Sequence, residues 1–559
     1  MGEQLAGLGV SSGLVVGPVA RMAEVVLAPV VAVEVADPAA EAERATAALE
    51  QVAIDLEELS VEAAEEAKGV LQAEAMMARD PGLADEVDRR CREGTAAALA
   101  VEEAVAVYSK VLAAAGEYMA ARVADLEAVR DRALARLAGV EAPKVPDPGY
   151  PIVLVARDLA PAETATLKPE RVLALVTEEG GPTSHTAIIA KSLGVPAVVA
   201  CAGAMDLADD TRVIVDGGSG AIIVDPDDAQ VRAAEERAEA RRRARAKATS
   251  GPGRTSDGHA VKLLANIGGP ADAKPAATAG AEGVGLFRTE FLFLDRPDPP
   301  SVEEQERAYA EVLAAFPNGR VVFRTLDAGA DKPLPFVDLG EEPNPALGQR
   351  GLRAVRLWPD VLRDQLDAIG RAAQGTTAEV WVMAPMVATA QEAGWFTSQA
   401  RRQPIDKAGV MVELPAAALA ADSILEEADF ASLGTNDLAQ YTFGADRMIS
   451  ALAPLQDPWQ PSLLKLIQMT AQAGQRNDKP VGVCGEAASD PALALVLVGL
   501  GVTSLSMAPS SLADVRTLLA GHTLDQCERL ARIAIEAPEA VVGRDQVRAE
   551  VPALEALGL

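Results

Sequence analysis

Histidine is scarce in this chain, three residues in 559, and one of the three, His185, lies in Gly180-Gly181-Pro182-Thr183-Ser184-His185-Thr186. The apolar run 172–176 predicts a strand, the paired glycines a turn, and 186–193 a helix stopped by Gly194. His185 then falls at a strand-to-helix corner. Open backbone N–H groups and the positive end of the helix dipole favour an anion there, and glycines let the backbone approach it. Neutral imidazole is nucleophilic and titrates near neutrality, so it can accept a phosphoryl group and pass it on. A histidine packed under a capped helix would give the same local pattern, and the second half of the chain decides between the two.

There, strand-like segments alternate with helical ones eight times, at 262–266, 283–287, 320–325, 379–385, 409–413, 430–433, 481–484 and 503–507. Eight β/α units in about 300 residues predict a TIM barrel, whose chemistry gathers at the C-terminal ends of the strands. Those ends carry Asn266, Arg288, Arg324, Glu413, Asn436, Asp437 and Cys484. Arg288 and Arg324 offer planar forks suited to carboxylate or phosphate, and Lys332 and Arg447 would extend the same pocket. Glu413 and Asp437 supply two hard oxygen ligands, which with substrate oxygens match the way Mg²⁺ is held. A cationic, metal-bearing pocket in an acidic protein implies a small, highly anionic substrate. Cys484, in Val481-Gly482-Val483-Cys484-Gly485-Glu486, reads either as a small core residue or as a thiol able to protonate a carbanion-like centre. No Walker A sequence is present, so the phosphoryl donor is not expected to be ATP.

The elements that must position these residues form a multidomain α/β chain. Hydrophobic residues make up 49% and charged residues 24%, a balance that predicts folded domains rather than disorder. The net charge of −31 argues against a nucleic-acid surface and an anionic membrane. Four dispersed cysteines without a CxxC pair, and no basic-then-apolar leader, predict a reduced, cytoplasmic protein without membrane insertion. Residues 1–20 and 143–228 read as a β/α domain carrying His185, and 21–142 as an all-helical insert rich in Ala, Glu, Leu and Arg. The stretch 9–18 reads as one strand, and Gly69, Pro81-Gly82, Gly94 and Gly116 as breaks between helices. Residues 229–254 read as a basic helical connector with a Ser/Gly/Pro linker, and 255–559 as the barrel. Between Glu41 and Arg136 stand 21 acidic and 11 basic side chains, so the insert offers either a solvated face or an acidic docking surface.

From end to end the chain resembles Enzyme I of the bacterial phosphotransferase system. The motifs are Gly-Gly-x-Thr-Ser-His at 180–185, Gly-Leu-Phe-Arg-Thr-Glu-Phe-Leu at 285–292, Met-Val-Glu-x-Pro-Ala-Ala at 411–417, Gly-Thr-Asn-Asp-Leu at 434–438 and Val-Cys-Gly-Glu at 483–486. The resemblance implies transfer from phosphoenolpyruvate to His185 and then to the phosphocarrier HPr, which would dock on the helical insert. It also implies that Thr164 hydrogen-bonds the histidine and that Arg288, Arg324 and Arg447 bind phosphoenolpyruvate beside Asn436 and Asp437. Glu413 and Asp437 would hold Mg²⁺, Cys484 would be the proton donor, and the barrel would form a homodimer. Three positions depart from the pattern. Pro182 stands where a basic residue is frequent, Ala330 replaces a glycine near Lys332, and Glu74 stands where a histidine is frequent. Phosphoenolpyruvate synthase and pyruvate phosphate dikinase share the histidine and barrel domains but add an ATP-binding domain, for which no signature precedes residue 180. A catalytically silent, phosphoenolpyruvate-sensing relative would be expected to lack the histidine or a ligand, and this chain keeps them all.

Overall fold

The computed structural model describes all residues except 1–3, 23–34, 63–64, 115–121, 141–144, 160–166, 169, 182–184, 248–250, 295, 330–333, 335, 338–339, 341, 447–448 and 558–559. Thr164, Pro182, Ala330, Lys332 and Arg447 therefore lie outside the described residues. The chain divides into two compact units, 1–239 and 240–557.

The first unit contains an eight-stranded sheet and a helical bundle. The strands are β1 (Gln4–Ala6), β2 (Leu8–Ser11), β3 (Leu14–Arg21), β4 (Ile152–Ala156), β5 (Val172–Thr177), β6 (Ala197–Val199), β7 (Arg212–Asp216) and β8 (Ala221–Val224), in the order β1-β8-β7-β3-β4-β5-β6-β2. Neighbours β3 to β6 run parallel and the outer pairs antiparallel. Where a single strand over 9–18 is expected, the chain instead makes β2 and β3, which pair with different partners, β6 and β7. Gly13, at φ +155°, lies between them in a conformation that residues with a Cβ rarely adopt.

The bundle consists of α1 (Pro38–Glu62), α2 (Glu65–Ala78), α3 (Pro81–Arg92), α4 (Ala97–Ala114) and α5 (Val123–Leu137). On α1 the buried residues Ala42, Ala45, Leu49, Val52, Ala53 and Leu56 recur every three or four positions, which puts them on one face against Leu71, Val87, Val101 and Val129. Truncating Leu49 to alanine there would cost about 2–5 kcal/mol. Asp80 starts α3, its carboxylate accepting the Leu83 N–H at 2.9 Å ahead of Pro81 in the first turn. Gly69 is not the break expected of it, since it lies within α2. A glycine costs a helix interior about 1 kcal/mol, too little to end a helix held by tertiary packing.

Helix α6 (His185–Leu193) follows β5, and α7 (Asp228–Lys247) carries the basic run. The second unit holds eight parallel strands, β9 (Lys262–Ile267), β10 (Gly283–Arg288), β11 (Arg320–Arg324), β12 (Glu379–Ala384), β13 (Lys407–Val412), β14 (Ala431–Gly434), β15 (Val481–Cys484) and β16 (Ser504–Met507). Each pairs with the next, and β16 returns to β9 to close a TIM barrel without sheet edges. Burial on both faces explains why runs such as Val-Trp-Val-Met-Ala in β12 are continuously apolar. Among the described residues, no helix is long and apolar enough to cross a membrane.

Candidate active site

The histidine corner forms as its residue types require. Strand β5 ends at Thr177, whose hydroxyl donates to the Glu179 carbonyl at 2.7 Å, and Gly180 follows at φ +94°. His185 is the first residue of α6, and Gly194, at φ +66°, lies just past the helix end. Thr186 is fully buried and its hydroxyl donates to Asp158 Oδ1 at 3.4 Å, while Ala190 packs with Leu154 and Leu175 beneath the helix. The N-terminus of α6 is thus tied to the segment that follows β4.

In the second unit, the barrel brings six candidate residues, at or just past its strand ends, to one mouth. Arg288 ends β10 and is exposed, whereas Arg324 ends β11 with 7% exposure. Glu413 follows β13 and is 1% exposed. Strand β14 runs into a helix, Thr435–Phe443, whose first turn presents an exposed Asn436 and a buried Asp437. Cys484 ends β15 with its thiol donating to the Leu433 carbonyl at 3.3 Å, packed with Leu286, Met383 and Met411. Burial pushes that thiol's pKa up, so it stays protonated at neutral pH. Asn266 spends its amide inside the barrel, donating to the Ser506 carbonyl at 3.2 Å and accepting from Ser506 Oγ at 2.6 Å.

A chain of alternating charge runs beneath the mouth. Arg324 donates from Nη2 to Glu290 Oε1 at 2.9 Å, and its Nη1 lies 3.2 Å from Asp327 Oδ2. Asp327 Oδ2 also accepts from Arg350 Nη2 at 3.1 Å, and Arg350 Nη1 reaches Asp437 Oδ1 at 3.4 Å and Tyr441 Oη at 3.3 Å. Gln365, fully buried on the helix Pro359–Ala373, braces the loop after β11. Its Nε2 donates to Thr289 Oγ1 at 2.9 Å and its Oε1 accepts the Leu326 N–H at 3.0 Å. Although burial opposes its charge, Arg324 is held firmly protonated by Glu290 and Asp327.

Among the described residues, the buried donor Arg324 Nε and the buried acceptor Glu413 Oε2 have no hydrogen-bond partner at this mouth. The other carboxylate oxygen of Glu413 accepts the Met386 N–H at 2.6 Å. Burial, then the neighbouring Asp437 and Asp327 charges, push the Glu413 pKa up to about 8. With Glu413 ionised, the buried carboxylates of Glu290, Asp327, Glu413 and Asp437 outnumber the buried guanidinium groups of Arg324 and Arg350 by two. Among the described residues, no three His, Cys, Asp or Glu side chains cluster closely enough to hold a metal. Two carboxylates that leave further positions to water and substrate oxygens suit Mg²⁺, and the open Glu413 oxygen fits a ligand role.

Sequence reasoning overlooked Glu290, Asp327, Arg350, Gln365 and Met386. Glu290 and Asp327 stand two and three residues after Arg288 and Arg324, inside the same motifs, and a buried arginine's need for counter-charge was the available signal. Arg350 and Met386 lie in loops without periodicity and gave none.

Residues 242–524 match the PEP-binding domain of PEP-utilising enzymes, 149–220 their mobile domain and 6–122 their N-terminal domain. Over 553 residues the chain is 55% identical to a phosphoenolpyruvate-protein phosphotransferase of Streptomyces coelicolor, covering 98% of this chain and 99% of that one. A phosphoenolpyruvate-protein phosphotransferase of Haloferax volcanii is 40% identical over 488 residues, 85% of each chain. A solved Enzyme I structure, 31% identical with a TM-score of 0.39, is covered to 98% by 42% of this chain. With all three domains matched and near-complete coverage at this identity, the chain belongs to the phosphoenolpyruvate-protein phosphotransferases, enzymes of the PEP-utilising family.

Proposed function

We propose that this enzyme moves the phosphoryl group of phosphoenolpyruvate to its own His185 and then to the phosphocarrier HPr, opening sugar uptake by a phosphotransferase system in the cytoplasm. The observation that carries the reading is the pair of unmet buried atoms at the barrel mouth. Arg324 Nε calls for an anion and Glu413 Oε2 for a cation, and a metal-bound phosphoenolpyruvate supplies both.

Arg288, Arg324 and Arg447 bind the phosphate and carboxylate of the substrate, with Lys332 and Asn436 beside them. Glu413 and Asp437 would hold Mg²⁺, which when bound neutralises phosphate charge and stabilises the enolate oxygen. Thr164 orients the imidazole of His185. The neutral ring attacks phosphorus in line, the bond from phosphorus to the enol oxygen breaks, and pyruvate enolate leaves. Cys484 then gives its thiol proton to the methylene carbon of the enolate, completing pyruvate, and the thiolate regains a proton from solvent. Arg324 is buried and already held by Glu290 and Asp327, so this donor needs little reorganisation as charge develops. Phosphorylated His185 passes its group to HPr docked on the helical insert, residues 21–142, so the histidine domain must serve two sites in turn. The barrel, residues 255–559, would form the homodimer.

The test is intact mass after mixing with phosphoenolpyruvate and Mg²⁺. One acid-labile phosphoryl group per chain is expected, and His185→Ala should lose it without loss of fold. Undiminished labelling of the folded variant would refute the assignment of His185. A wild-type chain that binds phosphoenolpyruvate but never gains mass would be a silent sensor instead.

A further inference from the structure

Glu413 is gripped on one side only, and the grip uses a costly backbone. Met386, two residues past β12, is fully buried and adopts φ +57°, although it is not a glycine. A left-handed residue with a side chain costs about 1–3 kcal/mol and persists only where its surroundings enforce it. What that conformation achieves is a 2.6 Å hydrogen bond from the Met386 N–H to Glu413 Oε1.

Two glycines make room around this contact. Gly351, itself at φ +56°, faces Met386, and a Cβ placed on it would fall 2.9 Å from Met386 Cγ and 3.0 Å from Met386 Cβ. Gly434, the last residue of β14, faces the other carboxylate oxygen. A Cβ there would fall 2.9 Å from Glu413 Oε2 and 3.2 Å from Glu413 Cβ. The floor of the site therefore has a left-handed turn under one oxygen of Glu413 and a glycine backbone packed so closely beside the other that no side chain fits between them.

We infer that Met386, Gly351 and Gly434 are positioning residues that fix Glu413 with Oε1 tied to backbone and Oε2 presented, unpaired, to a divalent cation. This rests on the reading of Glu413 as a metal ligand. Orienting groups behind a ligand typically govern metal affinity by 10- to 100-fold. Alanine at 434 is the sharpest probe, because the atom it displaces first is the tip of a flexible side chain. The fold can absorb that shift, but the ligand oxygen cannot keep its place.

The experiment measures Mn²⁺ binding to the full-length protein by electron paramagnetic resonance, without phosphoenolpyruvate, alongside thermal unfolding. Gly434→Ala is expected to weaken Mn²⁺ binding 10-fold or more with a near-normal unfolding temperature, and raised Mn²⁺ should restore most of kcat. Met386→Gly keeps the N–H and adopts φ +57° more readily, so it should retain Mn²⁺ affinity while losing thermal stability through the missing side chain. Glu413→Gln separates the inference from the reading beneath it. If Glu413→Gln leaves Mn²⁺ binding intact, Glu413 is not a ligand and both fail. If it abolishes binding while Gly434→Ala binds Mn²⁺ like the wild type, the ligand stands and the positioning role is overturned.

Discussion

Arg350→Met tests whether the charge chain beneath the mouth does more than fill space. The guanidinium is 2% exposed and bridges Asp327, 1% exposed and 3.1 Å away, to Asp437, 10% exposed and 3.4 Å away. An exposed ion pair would be worth at most about 1 kcal/mol, but deleting one partner of a buried pair strands the other and costs about 3–5 kcal/mol. Asp327 would keep Arg324 at 3.2 Å, so the lower end, about 3 kcal/mol, is expected. Methionine approximates the volume and leaves little cavity contribution. Urea unfolding followed by tryptophan fluorescence reads this cleanly. All four tryptophans, Trp358, Trp381, Trp395 and Trp459, lie in the second unit, so the signal reports the barrel. Arg350→Lys restores the charge without the planar fork, so it should recover only part of the stability. If Arg350→Met unfolds within about 1 kcal/mol of wild type, the pairs behave as solvent-screened contacts and the network reasoning is wrong.

Cys484→Ala should slow pyruvate release by roughly 10²–10⁴-fold, as for a lost general acid, while rapid mixing still shows His185 phosphorylation. Normal pyruvate formation with reduced stability would return the thiol to core packing. Replacing residues 21–142 with a short linker should spare self-phosphorylation and stop transfer to HPr, and a carrier still phosphorylated at the normal rate would refute docking on the insert. Glu413 gives a pH signature. Its pKa is raised above the ordinary 4.5 to about 8, so without metal its contribution to stability is complete below the unfolded value and is lost as pH rises through about 8. The metal-free barrel should therefore melt at falling temperature over that window, Mg²⁺ should reverse the trend, and a flat metal-free profile would contradict it.

The fold was legible where periodicity is strong. All eight barrel strands occur within two residues of their expected bounds, because a strand buried on both faces is a short apolar run between turns. The His185 corner was legible for the same reason, with α6 starting one residue earlier than expected. Residues 9–18 misled because the short Ser11-Ser12-Gly13 turn signal lies inside an otherwise β-prone run, and Gly69 misled because packing outweighs helix propensity. Of the candidate site, the placement of Arg324, Glu413, Asp437 and Cys484 at or beside strand ends was readable because a barrel brings its strand ends to one face. Arg350 was not, since it comes from the long connection between β11 and the helix Pro359–Ala373, which has no period to place it. Met386 was hidden for a different reason, because nothing in the residue type announces a left-handed backbone.

Arg324 and Glu413 solve one problem with opposite charges. A mobile charged side chain would have to be ordered by each incoming substrate, at the cost of its rotamer entropy. Arg324 avoids this with Nη1 and Nη2 both occupied by carboxylates, leaving Nε as the unsatisfied donor. Glu413 does so with Oε1 held by the Met386 N–H, leaving Oε2 as the unsatisfied acceptor. A buried polar atom without a partner costs about 1–3 kcal/mol, so an anion at Arg324 Nε and a cation at Glu413 Oε2 would each relieve such a penalty. On the function proposed above, a metal-bound, highly anionic substrate would relieve both at once, because each side chain is already held at its other polar atoms.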